Sequence, residues 1–399
     1  MSTYDQNMSA ASARQVFPDR LRGIALLGIV VVNAPPLGIS IDGFTSDSLT
    51  NALDKVAVFV VIALAQGKFY LLFSFLFGYS AAFILRSGAN SDRRRFARRL
   101  VGLAAIGLIH AVFFYVGDIL LTYAVLGFGL LTVSRRSDLV LRRVAMVALV
   151  IGIALPLLML GPFAEFDPNA LTAPTDPTLN ALDTALATGS FLDAAIARLH
   201  VLPIWLSALF VQQGALAFSA FCLGLLAARH RLLANPGERR DLWRRLAIIG
   251  CAVGLPLQAI GGLMAMTGLG TSESIPIVAE FGTVLVFSTA PILAAGYLGL
   301  LGWGLAARPQ VASFAATPGR ASLSVYIGES VLLSLLFCGY GLGFFGQWGA
   351  FPVVMAGVAA WVLLTVLAHA WLTRYRQGPL ESLLGRVTGQ RAIQPPTQV

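Results

Sequence analysis

The chain has 399 residues and a net charge of +9; it is 57% hydrophobic and only 12% charged, with a mean hydropathy of +0.78. Soluble domains average about 25% charged residues, so a water-soluble fold of this composition would lack the polar surface it needs. The composition therefore excludes an ordinary soluble protein and indicates an integral membrane protein. The basic residues lie in clusters without interleaved aromatic residues, which argues against nucleic-acid binding.

Ten apolar segments are long enough to cross a bilayer, which takes about 20 residues per helix. They are 21–39, 68–86, 99–116, 119–134, 141–161, 204–228, 245–267, 277–305, 321–341 and 352–373. Two further stretches, 56–65 and 191–203, are too short to count and are expected to be interfacial or re-entrant pieces. The first segment lacks a small-residue cleavage site, so we interpret it as a retained helix and not as a signal peptide. The sequence thus predicts an all-α, polytopic membrane protein with about ten transmembrane helices in one domain, residues 1–399.

Loop charges predict the orientation, because Lys and Arg are retained on the cytoplasmic side. All basic residues except Lys55, Lys68 and Arg198 fall in the two tails or in alternate loops on the same side. Both termini are therefore expected in the cytoplasm, with tails at 1–19 and 375–399. The long outer loop at 162–200 is acidic and contains prolines, so it is either a lid, a substrate-binding loop or a plain surface loop.

The three cysteines, Cys222, Cys251 and Cys338, lie in apolar stretches without CxxC or histidine spacing. Small buried hydrophobes are the usual explanation of such cysteines. We predict no metal site and no permanently bound cofactor.

Three polar residues share one depth in the membrane. At a rise of 1.5 Å per residue, Asn33 lies about 15 Å above Gly23, His110 about 16 Å beyond Arg99 and Glu329 about 14 Å beyond Arg320. Polar side chains in hydrocarbon need a partner or water and are functional candidates. We expect the three to line one cavity near the midplane.

Five motifs in order resemble the YeiB family of bacterial membrane proteins (domain of unknown function 418). They are RLRGIALLG at 20–28, GKFYLLFSFLFGY at 67–79, GDIL followed by YAVLG at 117–127, GRASLSVY at 319–326 and GPLE at 378–381. The resemblance implies a multi-pass protein of the bacterial cell (inner) membrane.

The first helix also resembles that of two membrane acyltransferase groups. In both, L-R-G is followed after ten residues by a polar residue, which is a catalytic His in the acyltransferase-3 group. In the heparan-glucosaminide acetyltransferase group it is an Asn, with a catalytic His shortly afterwards. Here the residue is Asn33, and no His lies between Asn33 and Lys68. If the chain transfers acyl groups, His110 is the remaining well-placed base.

An acyltransferase would use these residues in defined roles. His110, oriented by Asp118 or Glu329, would be the general base, and Asn33 would donate to the oxyanion. Substrate contacts are assigned to Lys68, Tyr123, Tyr326, Gln212 and Arg22. The phosphates of acyl-CoA, the expected co-substrate, are assigned to Arg93, Arg94 and Arg95. The acceptor would be a lipid or cell-envelope sugar.

Each residue also has a structural interpretation. Asn33 can bond a neighbouring helix carbonyl, His110 can be a structural hydrogen-bonding residue, and Asp118 fits a helix N-cap. Glu329 can be satisfied on its own helix. Lys68 can anchor a helix at the outer interface, and the arginines can simply set the topology.

Two other functions remain open. A polar cavity at the midplane is also what a transporter or exporter of a small molecule or lipid uses, although no inverted repeat or pair of broken helices is visible. A non-catalytic membrane scaffold is compatible as well. The expected partners are membrane lipids and a small-molecule, lipid or sugar substrate, and a homo-oligomer is compatible with the sequence.

Overall fold

The computed structural model describes residues 16–86, 88–160, 177–269, 276–307 and 313–388. Most of these residues are helical, with one isolated bridge between Ser40 and Gly43 and no strand among them. The helices of the first half are α1 Val16–Gly38, α2 Ala52–Phe59, α3 Phe69–Ile84, α4 Asn90–Phe113, α5 Leu120–Val133, α6 Asp138–Leu160 and α7 Pro177–Thr188. Those of the second half are α8 Phe191–Leu209, α9 Ala215–Arg229, α10 Arg240–Met266, α11 Pro276–Ala307, α12 Ala316–Arg320, α13 Ser322–Phe337, α14 Ala350–Arg374 and α15 Pro379–Val387.

Eight helical segments of the described residues are long and apolar enough to cross a membrane. They coincide with eight of the ten predicted spans. The other two predicted spans correspond to the shorter apolar helices α5 and α13. The prediction of an all-α polytopic membrane protein is confirmed.

Two stretches that we expected to be separate short pieces are parts of longer helices. Residues 56–65 lie in α2 and in a π-helical segment, Val60–Ala65, that leads towards α3. Residues 191–203 begin α8, which continues through the π-helical segment Phe210–Gly214 into α9. The hydropathy pattern did not show that either stretch belongs to a longer helix, because charged residues interrupt the apolar runs.

The outer loop predicted at 162–200 is not simply irregular. Its second half contains α7, whose Leu182 and Leu186 are buried, and the start of α8. Ser190 caps α8 by accepting a hydrogen bond from the Asp193 amide, and the Asp193 side chain bonds back to Ser190. The acidic residues Glu165, Asp167 and Asp176 lie outside the described residues.

Glycines allow the closest helix approaches in the bundle. A Cβ at Gly78 of α3 would lie 2.0 Å from the Phe221 carbonyl oxygen of α9, and one at Gly224 would lie 1.9 Å from the Phe75 carbonyl oxygen. Small residues at such crossings let backbones pack tightly where no hydrophobic effect drives association. Helices α10 and α11 meet in the same way through Gly250 and Gly296.

The topology can be tested by cysteine labelling in a background without the three native cysteines. Leu342, in the loop between α13 and α14, and Glu238, between α9 and α10, are both exposed. We expect a membrane-impermeant maleimide to label Leu342→Cys in intact cells and Glu238→Cys only after permeabilisation, because the basic loops stay cytoplasmic. The reverse pattern would invert the orientation.

Candidate functional site

A cavity of about 460 Å³ lies between α1, the α2–α3 connection, the α4–α5 connection and the π-helical segment after α8. The polar residues of its wall are Asn33, Asp42, Gln66, Tyr70, Tyr115, Gln212, Gln213, Thr283 and Tyr326. The remaining wall is apolar. Its size is that of a small-molecule site with a few polar groups on a hydrophobic lining.

Irregular backbone surrounds this cavity. Pro35 and Pro36 lie in the last turns of α1. Gly67, with φ +84°, lies in the turn that separates the first π-helical segment from α3. Residues 114–119 separate α4 from α5, and the second π-helical segment, 210–214, carries Gln212 and Gln213. Non-helical backbone at membrane depth is tolerated where it is buried in protein or lines a cavity. π-Helical turns occur frequently at functional sites. Four departures from regular α-helix therefore lie around one cavity.

His110 and Asp118 form a buried pair beside the cavity. The His110 Nδ1 lies 2.7 Å from Asp118 Oδ2, and both side chains are 1% exposed. Asp118 Oδ1 also accepts a hydrogen bond from the Leu121 amide at 2.9 Å, as the predicted cap of α5. A Cβ at Gly107 would lie 2.6 Å from Asp118 Oδ1, so a glycine on α4 is what lets this carboxylate approach. The capping and pairing roles of Asp118 therefore exist together.

The other ring nitrogen of His110 is unused. Nε2 is buried and has no hydrogen-bond partner among the described residues. An orphaned buried polar atom of this kind is rare in folded proteins and calls for an explanation. His110 itself is not part of the cavity wall; Tyr115 and Tyr326, whose rings lie 6.4 and 5.3 Å from its ring, are.

Two tyrosines connect the pair to the cavity. The Tyr326 hydroxyl lies 3.5 Å from Asp118 Oδ2 and accepts a hydrogen bond from the Ile119 amide at 3.3 Å. The Tyr115 hydroxyl lies 3.4 Å from Asn33 Oδ1. Asn33 thus reaches the cavity wall, as expected, and meets the residue that follows the end of α4 instead of His110 itself.

The predicted substrate residues occupy different positions. Tyr326 and Gln212 lie in the cavity wall, whereas Tyr123 is buried away from it, bonded to Ser74 at 2.6 Å and to the Tyr70 carbonyl at 2.9 Å. The sequence analysis missed Tyr70, which lines the cavity and has a buried hydroxyl without a partner among the described residues. Tyr70 is one of many aromatic residues on α3, so nothing in the sequence distinguished it as a site residue.

Lys68 does not lie at an outer interface. Its side chain is 0% exposed, and its Nζ donates to the Ile62 carbonyl oxygen at 3.2 Å, within the interrupted segment before α3. Its neighbours Gly67 and Phe69 line the cavity, but Lys68 does not. Helix periodicity could not place it because the helix is broken there.

Glu329 is buried at 2% exposure, and its Oε1 has no partner among the described residues. The expected bonds to Tyr326 or Ser330 are therefore not seen for this atom. Equal depth did bring Asn33 and the His110 segment together, but the structure shows no bond from Glu329 to either of them.

The arginines assigned to ligands have different environments. Arg22 bonds to Asp19 at 2.6 Å and to Ser80, and Arg93 bonds to the Leu131 carbonyl at 2.7 Å. Arg94 and Arg95 are exposed. Arg22 and Arg93 therefore stabilise helix ends, whereas Arg94 and Arg95 remain accessible.

At one mouth of the cavity, α7 holds the segment that follows α1. Asp183 accepts hydrogen bonds from the Ser40 hydroxyl at 2.5 Å and from the Ile41 amide at 2.8 Å, and Ile41 and Asp42 line the cavity. Burial raises the pKa of the Asp183 carboxyl above its usual value, against the effect of these hydrogen bonds. Partial burial and then repulsion from Asp183 raise the pKa of Asp42.

Comparison with known proteins gives one family match and two similarities that extend over most of the chain. Residues 227–391 match the family described as protein of unknown function (DUF418). The chain is 29% identical over 395 residues to the uncharacterized protein YxaH of Bacillus subtilis (strain 168), covering 92% of each chain. It is 25% identical over 385 residues to the uncharacterized protein YeiB of Escherichia coli (strain K12), covering 94% of this chain and 96% of that protein. The chain is therefore similar to this family over its C-terminal part and to these two relatives over most of its length. The resemblance predicted from the motifs is confirmed.

The family match divides the site unevenly. It includes Tyr326 and Glu329 of α13 and the GPLE motif at the start of α15, but not the His110–Asp118 pair. The similarities to YxaH and YeiB extend over both halves of the chain. The cavity is therefore built by the DUF418 region together with the residues before it.

We expect Asp118→Asn to lower the stability of the detergent-solubilised protein by about 1–3 kcal/mol, because His110 loses its charged partner in a buried position. The cap can persist, since an Asn side chain also accepts from the Leu121 amide. Thermal melts against the matched control Asp47→Asn, at an exposed position, measure the difference. Equal melting temperatures for all three proteins would contradict a structurally important pair.

The raised pKa of Asp183 predicts a pH-dependent mouth. A carboxyl whose folded-state pKa lies above its unfolded value stabilises the fold fully below the unfolded pKa and loses this contribution as the pH rises through the folded pKa. We expect Asp183→Asn to gain melting temperature relative to wild type as the pH rises above the usual Asp pKa of about 4. Asp47→Asn should show no such trend. A difference that shrinks with rising pH would contradict this assignment.

Proposed function

We propose that the protein is a membrane-embedded acyltransferase that moves an acyl group from acyl-CoA to a lipid or cell-envelope acceptor. The observation that carries the proposal is the His110–Asp118 pair with its free Nε2. A carboxylate on one ring nitrogen fixes the tautomer, so the other nitrogen can accept a proton; this is the arrangement of a general base.

The chemistry needs one proton transfer in each direction. The acceptor hydroxyl or amine loses its proton to His110 Nε2 as its oxygen or nitrogen attacks the thioester carbonyl carbon. The resulting tetrahedral oxyanion needs a donor, and the Asn33 amide nitrogen, which has no hydrogen bond among the described residues, faces the same cavity. When the intermediate collapses, the C–S bond breaks and the CoA thiolate takes the proton from His110.

Nε2 is closed off in this conformation. Access from the cavity requires the ring of Tyr115, between α4 and α5, or that of Tyr326, on α13, to move. The acceptor reaches the cavity from the outer mouth beside Asp42, and the donor comes from the cytosolic side, where Arg94 and Arg95 are accessible for its phosphates.

A transporter or exporter is the second candidate. The interrupted helices around the cavity support it, because secondary transporters build their substrate sites from discontinuous helices near the midplane. The backbone departs from regular helix at 66–68 and again at 114–119, both at the cavity wall. Such a protein would need no free base at His110.

The chemistry can be tested with purified protein, labelled acetyl-CoA or palmitoyl-CoA, and bacterial envelope lipids. We expect His110→Ala to lower acyl transfer by about 10²–10⁴-fold, because a general base is lost. Asn33→Ala should lower it by about 10²–10³-fold, as the loss of one oxyanion donor does. The matched control is His369→Ala, at an exposed position of α14, which should retain full turnover.

Thermal melts must show that each variant is folded. Undiminished turnover by folded His110→Ala would remove the acyltransferase assignment. Absence of turnover in the wild type, together with solute uptake into proteoliposomes that His110→Ala retains, would establish the transporter instead.

A further inference from the structure

The inner ends of the helices contain two classes of arginine. Most are exposed, as residues that only set topology need to be. Five of the described arginines on this side are partly buried instead: Arg20, Arg22, Arg93, Arg99 and Arg320. Burying a guanidinium takes its donors away from water, so each buried donor needs a partner.

Only two of the five have hydrogen-bond partners in the described part of the chain. Arg22 and Arg93 bond as given above. Arg20, Arg99 and Arg320 make no hydrogen bond or ion pair there, and the Nε atoms of Arg20 and Arg320 are fully buried and unpartnered. These donors therefore remain available for a ligand.

Arg99, Arg22 and Glu381 lie close enough to interact electrostatically. The Glu381 carboxylate is already used: Oε1 accepts from the Leu323 amide at 2.6 Å, and Oε2 accepts from the Ser324 hydroxyl at 2.6 Å. It caps the N-terminus of α13, directly after Arg320, where a negative charge is favoured. The cluster therefore keeps an excess of positive charge beside a carboxylate that is committed to a helix end.

Tight backbone packing fixes this cluster. A Cβ at Gly319 would lie 1.7 Å from the Asp19 carbonyl oxygen, and a Cβ at Gly23 would lie 1.8 Å from the Ala315 carbonyl oxygen. The start of α1, with Arg22, and α12, with Arg320, are thus held against each other without freedom to separate. Guanidinium groups held by rigid elements lose little entropy when they bind an anion.

We propose that Arg99 and Arg320, with Arg22 beside them, form a phosphate-binding site at the cytoplasmic end of the bundle. Arginine presents its donors in a planar fork that matches phosphate oxygens in a bidentate way. The phosphate belongs either to a soluble phosphorylated molecule or to the head group of an anionic phospholipid. Arg99 and Arg320 are not among the arginines assigned to the acyl donor or its acceptor, and the site does not depend on the proposed reaction.

Two probes distinguish the sources in the full-length protein. Pyrophosphate is titrated in thermal melts at constant ionic strength, and native mass spectrometry measures retention of phosphatidylglycerol against zwitterionic phosphatidylethanolamine. We expect Arg99→Gln and Arg320→Gln each to weaken the response by about 10- to 100-fold, the effect of losing a charged hydrogen-bonding partner. The matched control is Arg142→Gln, at an exposed position of α6, which should bind as wild type does.

A pyrophosphate response lost in both variants supports a soluble ligand, and selective loss of phosphatidylglycerol supports a lipid head group. If either Gln variant fails to fold, Arg99→Lys and Arg320→Lys, which keep the charge but lose the fork, replace it and should bind more weakly than wild type. A wild type that responds to neither probe, or folded variants that respond as it does, would overturn the proposal. None of these readouts involves acyl transfer, so failure here and failure of the proposed function are separate results.

Discussion

The constraint on which this structure depends is that backbone polar groups in a membrane must be satisfied from within the protein. Interrupted helices free such groups, and side chains take them up. The pairs are Lys68 with the Ile62 carbonyl, Tyr297 with the Leu64 carbonyl, Tyr123 with the Tyr70 carbonyl, Arg198 with the Phe113 carbonyl, Asp118 with the Leu121 amide and Tyr326 with the Ile119 amide. Every one of these bonds lies at or next to an interruption. By satisfying these backbone groups, this set of side chains stabilises the irregular backbone around the cavity.

This pairing separates structural polar residues from those that are free to act. The polar atoms of Lys68 and Tyr123 donate hydrogen bonds to backbone carbonyls, so the burial of both residues is explained without a ligand. Asp118 does both, since one oxygen caps α5 and the other holds His110. Among the described residues, the unpartnered buried atoms beside the cavity include the His110 Nε2 and the Tyr70 hydroxyl. An orphaned polar atom costs stability, so each of them calls for a partner such as a water, a ligand or a reacting group.

The sequence predicted the apolar segments well because a membrane span is a property of composition over about 20 residues. It also placed Asp118 at a helix start, since Gly117 and the following apolar run are local signals. It could not place Lys68 or Glu329, because their surroundings depend on how helices rotate and where they break. Depth along a helix does not determine which neighbouring residue a side chain faces. It brought Asn33 to the level of the His110 segment, but only packing determined that Tyr115 lies between them.

The two ends of the bundle differ in a way that bears on function. In the predicted orientation, the outer mouth carries the carboxyls of Asp42 and Asp183. The inner end carries Arg20 and Arg320, whose Nε atoms have no hydrogen-bond partner among the described residues. A single anionic solute that crosses the protein would meet favourable charge at the inside and repulsion at the outside. Group transfer has no such conflict, because an anionic donor and a neutral or cationic acceptor enter from opposite ends and only the acyl group passes between them. For the two proposed functions, this charge asymmetry opposes export of anions, and the His110 variants must separate group transfer from transport of neutral molecules.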